Sequence, residues 1–214
     1  MDWASLATRP AELVLVAGPN GSGKSTIAES YIEKRFPIWP KLNADQLLIG
    51  LGNNELLESE PHPMLQAARI VDIMAKGLVV LGEPFVLETV LSSPKYEVLV
   101  RTARRVGLIF RLVYVTTESS DINVGRVRQR VEDGGHDVPE DRIHSRWERS
   151  MDNLPWFARR ADRLIVADNS GASLKVLALR HLSGVLELRE HHHPASQRLR
   201  PLVGQPVLDD DGSS

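Results

Sequence analysis

Residues 14–26 decide the fold of this chain, and they read Val14-Leu15-Val16-Ala17-Gly18-Pro19-Asn20-Gly21-Ser22-Gly23-Lys24-Ser25-Thr26. An apolar strand runs into G-x-x-x-x-G-K-S, the pattern of a P-loop, and a helical pattern follows at once. Glycines let the backbone curl so that successive N–H groups face phosphate oxygens, and the helix adds its positive N-terminal end. The stretch therefore predicts a nucleotide-binding site formed by Gly18, Pro19, Asn20, Gly21, Ser22, Gly23, Lys24, Ser25 and Thr26.

Two residues of this loop carry the expected chemistry. Lys24 is predicted to reach the terminal phosphates, and Ser25 to offer its hydroxyl to Mg²⁺. ATP and Mg²⁺ are therefore the expected cofactors. The base-reading element Asn-Lys-x-Asp of GTP-dependent switches does not occur in the sequence. A kinase that acts on a small molecule is the simplest interpretation.

Length and composition are those of an ordinary globular protein. The 214 residues suffice for one α/β domain with a full core, and 42% of them are hydrophobic and 25% charged. The net charge of −2 provides no broad field for gripping a nucleic-acid backbone, so no nucleic-acid partner is expected. Cysteine is absent, the first residues lack a basic and apolar leader, and no apolar run approaches the ~20 residues of a membrane helix. We expect a cytoplasmic protein without a membrane partner.

Strand and helix patterns alternate along the chain. Strands are predicted at 12–17, 41–43, 85–91, 108–115 and 163–167, and helices at 24–34, 63–81, 94–106, 121–133 and 139–154. The strands are short, rich in Val, Leu and Ile and mostly without polar alternation, which is typical of a parallel sheet covered on both faces. We therefore expect an α/β fold of the P-loop kinase type with a central parallel sheet. Pro155 is expected to end or kink the last of these helices.

The C-terminal part of the chain is less regular. Residues 174–188 fit either an edge strand or a short helix. Beyond Glu190 the composition, with histidines at 191–193 and an acidic end, is too polar to add to a core. The sequence thus predicts a kinase domain over residues 1–190 and a loose polar tail over 191–214. Histidines adjacent in sequence rarely converge on one ion, so no metal site is expected there.

Two carboxylates follow or end predicted strands, at the edge of the sheet where ligands of open α/β folds bind. Asp45 comes just after the second strand, where it either takes the proton of an acceptor hydroxyl or caps the next helix. Glu88 interrupts an otherwise apolar strand, and it either holds a Mg²⁺-bound water or an acceptor hydroxyl or pairs with a structural arginine. Thr89 and Ser92 are expected to supply hydrogen bonds at the pocket floor.

Arginines cluster in a region that is predicted to be a helical lid, about residues 119–155. Helical spacing sorts them into two faces, Arg126 with Arg130 and Arg142 with Arg146 and Arg149. The turn between the two helices contains Gly134-Gly135, which would absorb a change in backbone direction. Such a lid would place guanidinium groups over a transferring phosphoryl group. The alternative is a solvated, charged surface.

Several of these motifs, taken in order, resemble the zeta-toxin family of P-loop kinases. The segments that carry the resemblance are the P-loop at 18–26, Asn43-Ala44-Asp45, Glu88-Thr89-Val90-Leu91-Ser92, Gly134-Gly135-His136-Asp137-Val138-Pro139, Arg146-Trp147-Glu148-Arg149-Ser150 and Asp168-Asn169-Ser170. The resemblance covers roughly residues 13–171 and points to the short, chromosomally encoded members. It implies phosphorylation of a sugar hydroxyl of UDP-N-acetylglucosamine with ATP and Mg²⁺, and restraint by a small helical antitoxin.

The resemblance also implies roles for individual residues. Lys24 and Ser25 would bind phosphate and Mg²⁺, and Asp45 would be the general base. Glu88 would serve the acceptor pocket, and its expected hold on a Mg²⁺-bound water makes it, with Ser25, a candidate for the metal site. The implied acceptor-binding residues are Asn43, Asp45, Glu88 and Thr89. The lid residues implied to meet the transferred phosphate are Arg130, Arg142 and Arg146.

Two other functions stay open on the sequence. One is a P-loop kinase for another small acceptor, such as an antibiotic or a sugar. The other is a nonenzymatic protein whose lid reports bound ATP to a partner. Transfer of phosphate to a hydroxyl separates these two classes.

Overall fold

The computed structural model describes residues 10–51, 63–135, 137–182 and 184–208. Within these ranges the chain forms a seven-stranded sheet with helices on both faces. His136, from the turn of the predicted lid, and residues 209–214, from the predicted tail, lie outside the described residues, as does the start of the chain at 1–9.

Five parallel strands form the centre of the sheet. In chain order they are β1 Glu12–Ala17, β2 Lys41–Leu42, β3 Phe85–Thr89, β4 Ile109–Thr116 and β5 Arg163–Asp168. Their order across the sheet is β2-β3-β1-β4-β5. Every residue of β1 is buried, because β3 and β4 pair with it on either side and helices cover both faces. The predicted parallel sheet is confirmed, with strand bounds that shift by only one or two residues.

Two short antiparallel strands extend the sheet beyond β5. Strand β6, Lys175–Arg180, pairs with β5, and β7, Glu187–Leu188, pairs with β6. The region 174–188, for which the sequence allowed a strand or a helix, therefore contains edge strands. Leu177 and Ala178 of β6 are buried in the core, whereas its first two residues are exposed.

Helices cover both faces of the sheet. Helix α1, Lys24–Ile27, follows the P-loop and continues through a π-helical segment, Ala28–Ile32, into α2, Glu33–Arg35. Further helices are α3 Ala44–Leu51, α4 Pro63–Leu81, α5 Glu97–Arg105 after a 3₁₀ turn at Pro94–Tyr96, α6 Ser120–Glu132, α7 Glu140–Arg160 and α8 Pro194–Leu199. Neighbouring residues of β1 face opposite layers: Leu13 belongs to the larger core with α4, α5 and α7, and Val14 to a smaller one with α1. None of the helices in the described part of the chain combines the length and the apolarity of a bilayer-spanning segment.

Helix α7 runs through Pro155 and ends five residues later, at Arg160. Proline lacks the N–H that would bond to the carbonyl of Met151, and this costs about 3 kcal/mol in a helix interior. Met151, Leu154 and Phe157 are fully buried on the side of α7 that faces the sheet, and each such side chain contributes about 1.5–3 kcal/mol on burial. Of the two outcomes expected at Pro155, a helix end or a kink, the helix end is wrong, because burial of the apolar face outweighs one lost hydrogen bond.

Residues 191–208 pack on the domain, in contrast to the loose tail that their composition predicts. Helix α8 and a 3₁₀ turn at Arg200–Leu202 place Ala195, Leu199 and Leu202 in the main core. These three residues follow one helical face at spacings of four and three, a pattern that the surrounding polar residues obscure. The imidazole of His193 caps α8 by accepting the backbone N–H of Ala195 at 3.1 Å.

Candidate active site

The P-loop lies at the carboxyl end of β1, and its glycines occupy positions that no side chain would fit. Gly18 has φ of 145°, and a Cβ there would lie 1.9 Å from the carbonyl oxygen of Val115. Gly23 has φ of 88°, and a Cβ there would lie 2.3 Å from the side-chain amide of Asn169. The backbone of the loop is thus pressed against the ends of the neighbouring strands, which leaves its other side open to a ligand.

Two asparagines support the P-loop by hydrogen bonds to its backbone carbonyls. Sequence reasoning did not identify either of them as a site residue. The amide of Asn123, on α6, donates to the carbonyl of Asn20, and its side-chain oxygen accepts the hydroxyl of Thr117. The amide of Asn169, just after β5, donates to the carbonyl of Ser22 at 2.9 Å. Asn169 directly follows the end of β5, and a position after a strand end is the signal by which Asp45 was identified. No feature of the sequence identifies Asn123 as a site residue.

Lys24 is buried within the loop it belongs to. Its ammonium group donates to the carbonyl of Pro19 at 2.9 Å. Burial lowers the pKa of Lys24 below its ordinary value, and the nearby carboxylates of Glu88 and Asp45 offset only part of that effect. A bound triphosphate would supply the missing negative charge.

Glu88 and Asn43 connect the P-loop to the second strand end. The hydroxyl of Ser25 donates to one carboxylate oxygen of Glu88 at 3.2 Å, and the amide of Asn43 donates to the other at 2.8 Å. Among the described residues, Ser25 and Asn43 are the hydrogen-bond partners of Glu88. The alternative prediction, in which Glu88 pairs with a structural arginine, is not what these contacts show. Glu88 therefore faces the nucleotide side of the sheet edge.

Asp45 lies in the first turn of α3, and it is not the cap of that helix. Asn43 takes this role, because its side-chain oxygen accepts the backbone N–H groups of Asp45 at 2.8 Å and of Gln46 at 3.3 Å. The carboxylate of Asp45 is exposed and lines the cavity described below. It lines this cavity together with Lys24 and Arg146, and its charge works against the lowering of both their pKa values.

The lid helices contribute arginines to the same cavity. Arg146 on α7 donates to the side-chain oxygen of Asn20 at 3.3 Å, a contact between lid and P-loop. Partial burial lowers the pKa of Arg146, and the neighbouring charges of Arg142 and Arg149 add to that effect. Arg149 is exposed and bonds to the carbonyl of Ser145, one turn earlier in its own helix.

One cavity of about 900 Å³ brings the predicted residues together. Its lining contains the loop residues Asn20, Gly21, Gly23, Lys24, Ser25 and Thr26, the acceptor candidates Asn43, Asp45, Glu88 and Thr89, and the lid candidates Arg130, Arg142 and Arg146. Gly18, Pro19 and Ser22 belong to the loop but do not line the cavity. Arg126 also lines it, and its guanidinium donates to the carbonyl of Asn169 at 2.6 Å.

The donor groups of this cavity fit a magnesium nucleotide. One guanidinium nitrogen of Arg126, in the cavity lining, is buried without a hydrogen-bond partner among the described residues. The same is true of Ser22 Oγ, which belongs to the P-loop but lies outside the lining. Ser25 and Glu88 supply a hydroxyl and a carboxylate of the kind that Mg²⁺ accepts beside phosphate oxygens and water. The described residues contain no group of three or more acidic or histidine side chains that would hold a metal by themselves. The histidines at 191–193 are accordingly not part of such a group.

Comparison with known proteins gives the family. Residues 13–154 match the family model AAA_33, described as an AAA domain, and the chain belongs to that family. A protein of Haemophilus influenzae, described as uncharacterized, is 27% identical over 144 residues, which cover 63% of this chain and 91% of that protein.

Two solved structures share the fold across nearly the whole chain. A chain of the AvrRxo1-ORF1:-ORF2 complex with ATP has a TM-score of 0.68 at 16% identity, and the match covers 98% of this chain and 68% of that one. A structure of the PezAT chromosomal toxin-antitoxin system of Streptococcus pneumoniae has a TM-score of 0.60 at 14% identity and covers 91% of this chain and 87% of its own. The fold is thus that of P-loop kinase-like proteins, as the sequence predicts. The narrower zeta-toxin assignment stays a prediction.

Proposed function

We propose that this AAA domain family member is an ATP- and Mg²⁺-dependent kinase that transfers the γ-phosphoryl group of ATP to a hydroxyl of a small molecule. One observation carries the proposal: the P-loop lysine, the Asp45 carboxylate and the lid arginines line a single cavity. Phosphoryl transfer needs these groups together, since it depends on positioning and on charge neutralisation more than on covalent chemistry.

In this proposal each residue acts on a defined part of the transfer. Lys24 and the lid arginines bind the phosphates and neutralise the charge that develops on the transferred group. Asp45 accepts the proton of the acceptor hydroxyl. The oxygen of that hydroxyl forms a bond to the γ-phosphorus while the bond between the γ-phosphorus and the leaving oxygen of ADP breaks. Glu88 and Asn43 orient the acceptor, and the hydrogen bond of Glu88 to Ser25 keeps these two side chains next to each other, where the metal would bind.

Mg²⁺ would be held by the hydroxyl of Ser25 and, through water, by the carboxylate of Glu88. When bound, the ion would offset part of the negative charge of the phosphates. The protein supplies few ligands of its own, which is the usual arrangement for Mg²⁺ in nucleotide sites.

We further propose a nucleotide sugar such as UDP-N-acetylglucosamine as acceptor and an antitoxin protein as partner. The motifs at 43–45, 88–92 and 134–139 support this reading, since their order resembles zeta toxins. The shared fold with the PezAT toxin-antitoxin structure is consistent with it. A kinase for another acceptor, such as an antibiotic or a sugar, uses the same cavity in the same way.

The test is direct. The purified protein is incubated with ATP, Mg²⁺ and a panel of nucleotide sugars, free sugars and aminoglycosides, and the products are weighed by mass spectrometry. We expect a product heavier by one phosphoryl group with at least one acceptor, and none from a Lys24→Ala variant. ATP binding without any product across a broad panel would favour the nonenzymatic, ATP-dependent switch.

A further inference from the structure

We propose that the acceptor carries an anionic oxygen group, a phosphate or a carboxylate, and that Lys95, which comes from neither the P-loop nor the predicted lid, binds it. This inference rests on the proposed kinase function, because it concerns the acceptor of that reaction. It assigns a role to a residue that neither the sequence motifs nor the P-loop geometry singles out.

The charge balance of the cavity leaves room for a second anion. Six cationic side chains line it, those of Lys24, Lys95, Arg126, Arg130, Arg142 and Arg146, against three carboxylates, those of Asp45, Asp137 and Glu88. A magnesium nucleotide brings about four negative charges, of which the ion offsets about two. With the nucleotide bound the lining itself keeps about one positive charge. Asp72, outside the lining, offsets that charge at Lys95, so an anionic acceptor would share this ammonium group with Asp72.

Lys95 is the cation of this set that does not come from the P-loop or the lid. It lies in the 3₁₀ turn between β3 and α5. Its ammonium group is 3.1 Å from the carboxylate of Asp72 on α4 and 4.4 Å from the centre of the Tyr96 ring. The hydroxyl of Tyr96 donates to the same carboxylate oxygen at 2.8 Å. Asp72 and Tyr96 thus hold the lysine in place while its remaining N–H donors are available to a ligand.

The loop before Lys95 is built to keep its shape. Leu91 is the only non-glycine residue of the described chain with positive φ, at 59°. Its N–H donates to the hydroxyl of Thr89 at 3.2 Å, and its carbonyl accepts the amide of Asn153 at 2.9 Å. A left-handed conformation costs a leucine about 1–2 kcal/mol, so these contacts and its burial maintain an arrangement that the chain does not adopt by preference.

The cavity lining also has an apolar part. Met64, Ala68 and Val71 of α4 belong to it, together with Val90 and Leu91. Serines 92 and 93 add hydroxyl groups to the same lining. An alcohol with a ring or alkyl part and an anionic group matches the combination of apolar surface, hydroxyls and a fixed ammonium group.

The experiment measures binding to protein whose ATP site is filled with a non-hydrolysable ATP analogue and Mg²⁺. The probes are UDP-N-acetylglucosamine and inorganic pyrophosphate for phosphate, gluconate for carboxylate, and N-acetylglucosamine as the neutral compound. We expect one or more anionic probes to bind, and Lys95→Gln to weaken that binding by about 10- to 100-fold, the usual worth of a charged hydrogen bond. Affinity for the ATP analogue should change by less than about twofold.

Two matched variants separate ligand binding from a structural role. Asp72→Asn removes the carboxylate that pairs with Lys95 but leaves the ammonium group. The affinity for the anionic probe should therefore be unchanged or higher than in the wild type. Lys41→Gln removes an exposed lysine that is also paired with a carboxylate, Glu33 at 3.0 Å, but lies outside the cavity, and it should change nothing. Equal weakening by Asp72→Asn and Lys95→Gln would overturn the proposal, as would binding of the neutral probe alone or of none.

The outcomes also distinguish this inference from the kinase proposal. Lys95-dependent anion binding without any phosphorylated product would support the anion site and count against the kinase. Product formed from neutral alcohols, with Lys95→Gln as active as the wild type, would support the kinase and eliminate the anion site.

Discussion

The side-chain amide of Asn169 donates to the backbone carbonyl of Ser22 at 2.9 Å, which joins the end of β5 to the middle of the P-loop. Arg126 extends this connection, because its guanidinium donates to the carbonyl of Asn169. Lid helix α6, strand β5 and the phosphate loop are therefore coupled through one asparagine. Its side chain determines the loop conformation although it is not among the residues that line the cavity.

Asn169→Ala should weaken ATP binding by about tenfold, because the loop loses one of the two amides that hold its shape and a net hydrogen bond is worth about 0.5–1.5 kcal/mol. Calorimetric titration with ATP and Mg²⁺ measures the effect. Arg128→Ala is the matched control, since Arg128 is exposed, pairs with Glu140 and does not line the cavity. Equal ATP affinities in the two variants would show that the Asn169 contact is not needed for the loop.

Asp45→Asn should reduce the rate of phosphoryl transfer by about 10²- to 10⁴-fold, the usual contribution of a general base. ATP affinity should change by less than about threefold, because Asp45 is not part of the loop. Steady-state kinetics with the acceptor found in the panel, together with ATP titration, measure both. Asp141→Asn, another exposed aspartate in the first turn of a helix, serves as the control. Full turnover by Asp45→Asn would remove this carboxylate from the chemistry.

Lys24→Met should abolish measurable ATP binding yet stabilise the free protein by about 1 kcal/mol. The lowered pKa of Lys24 means that burial disfavours its charge more than Glu88 and Asp45 favour it, and an apolar side chain of similar length escapes that penalty. Urea unfolding of the nucleotide-free protein checks the stability. A lower midpoint for the variant would indicate that the charge of Lys24 stabilises the empty site after all.

Acidification should destabilise the protein in part through His193. Burial lowers the pKa of His193 below 6.5, against an opposing attraction from Asp168 and weaker ones from Glu118 and Glu190. Between that lowered value and 6.5 the unfolded chain binds a proton that the folded chain does not, so the free energy of unfolding decreases as the pH falls below about 6.5. Protonation also removes the acceptor that caps α8.

The matched variant is His193→Asn, which keeps a capping side chain but does not titrate. Its free energy of unfolding, measured by urea between pH 7.5 and 5, should decline less steeply than that of the wild type. Parallel slopes for the two proteins would mean that His193 takes no part in the acid sensitivity.

The parts of the molecule that follow from local constraints could be predicted from the sequence. The P-loop glycines are required by contacts such as the one between Gly18 and Val115, and the periodicity of residues 63–81 predicts α4 with the bounds that it has. Asp45 and Glu88 could be found because parallel strands end at a common edge.

The parts of the molecule that depend on contacts between distant residues could not be predicted from the sequence. Asn123 supports the P-loop across about a hundred residues of sequence, and only the folded chain shows its contact with Asn20. The polar composition after Glu190 hid three apolar residues that complete the core, among them Leu199. Pro155 carries a local signal to stop, and burial of Phe157 and its neighbours overrides it.

The uninterrupted course of α7 has a consequence for how the enzyme would work. Arg142 and Arg146 lie in the first half of α7, and the second half of this helix is buried against the sheet. The two arginines are therefore rigidly connected to the sheet that carries the P-loop. We expect no large swing of this helix when ATP arrives. Rearrangement should be confined to guanidinium rotamers and to the glycine turn at 134–135. The backbone positions of these arginines would then be the same before and after ATP binds.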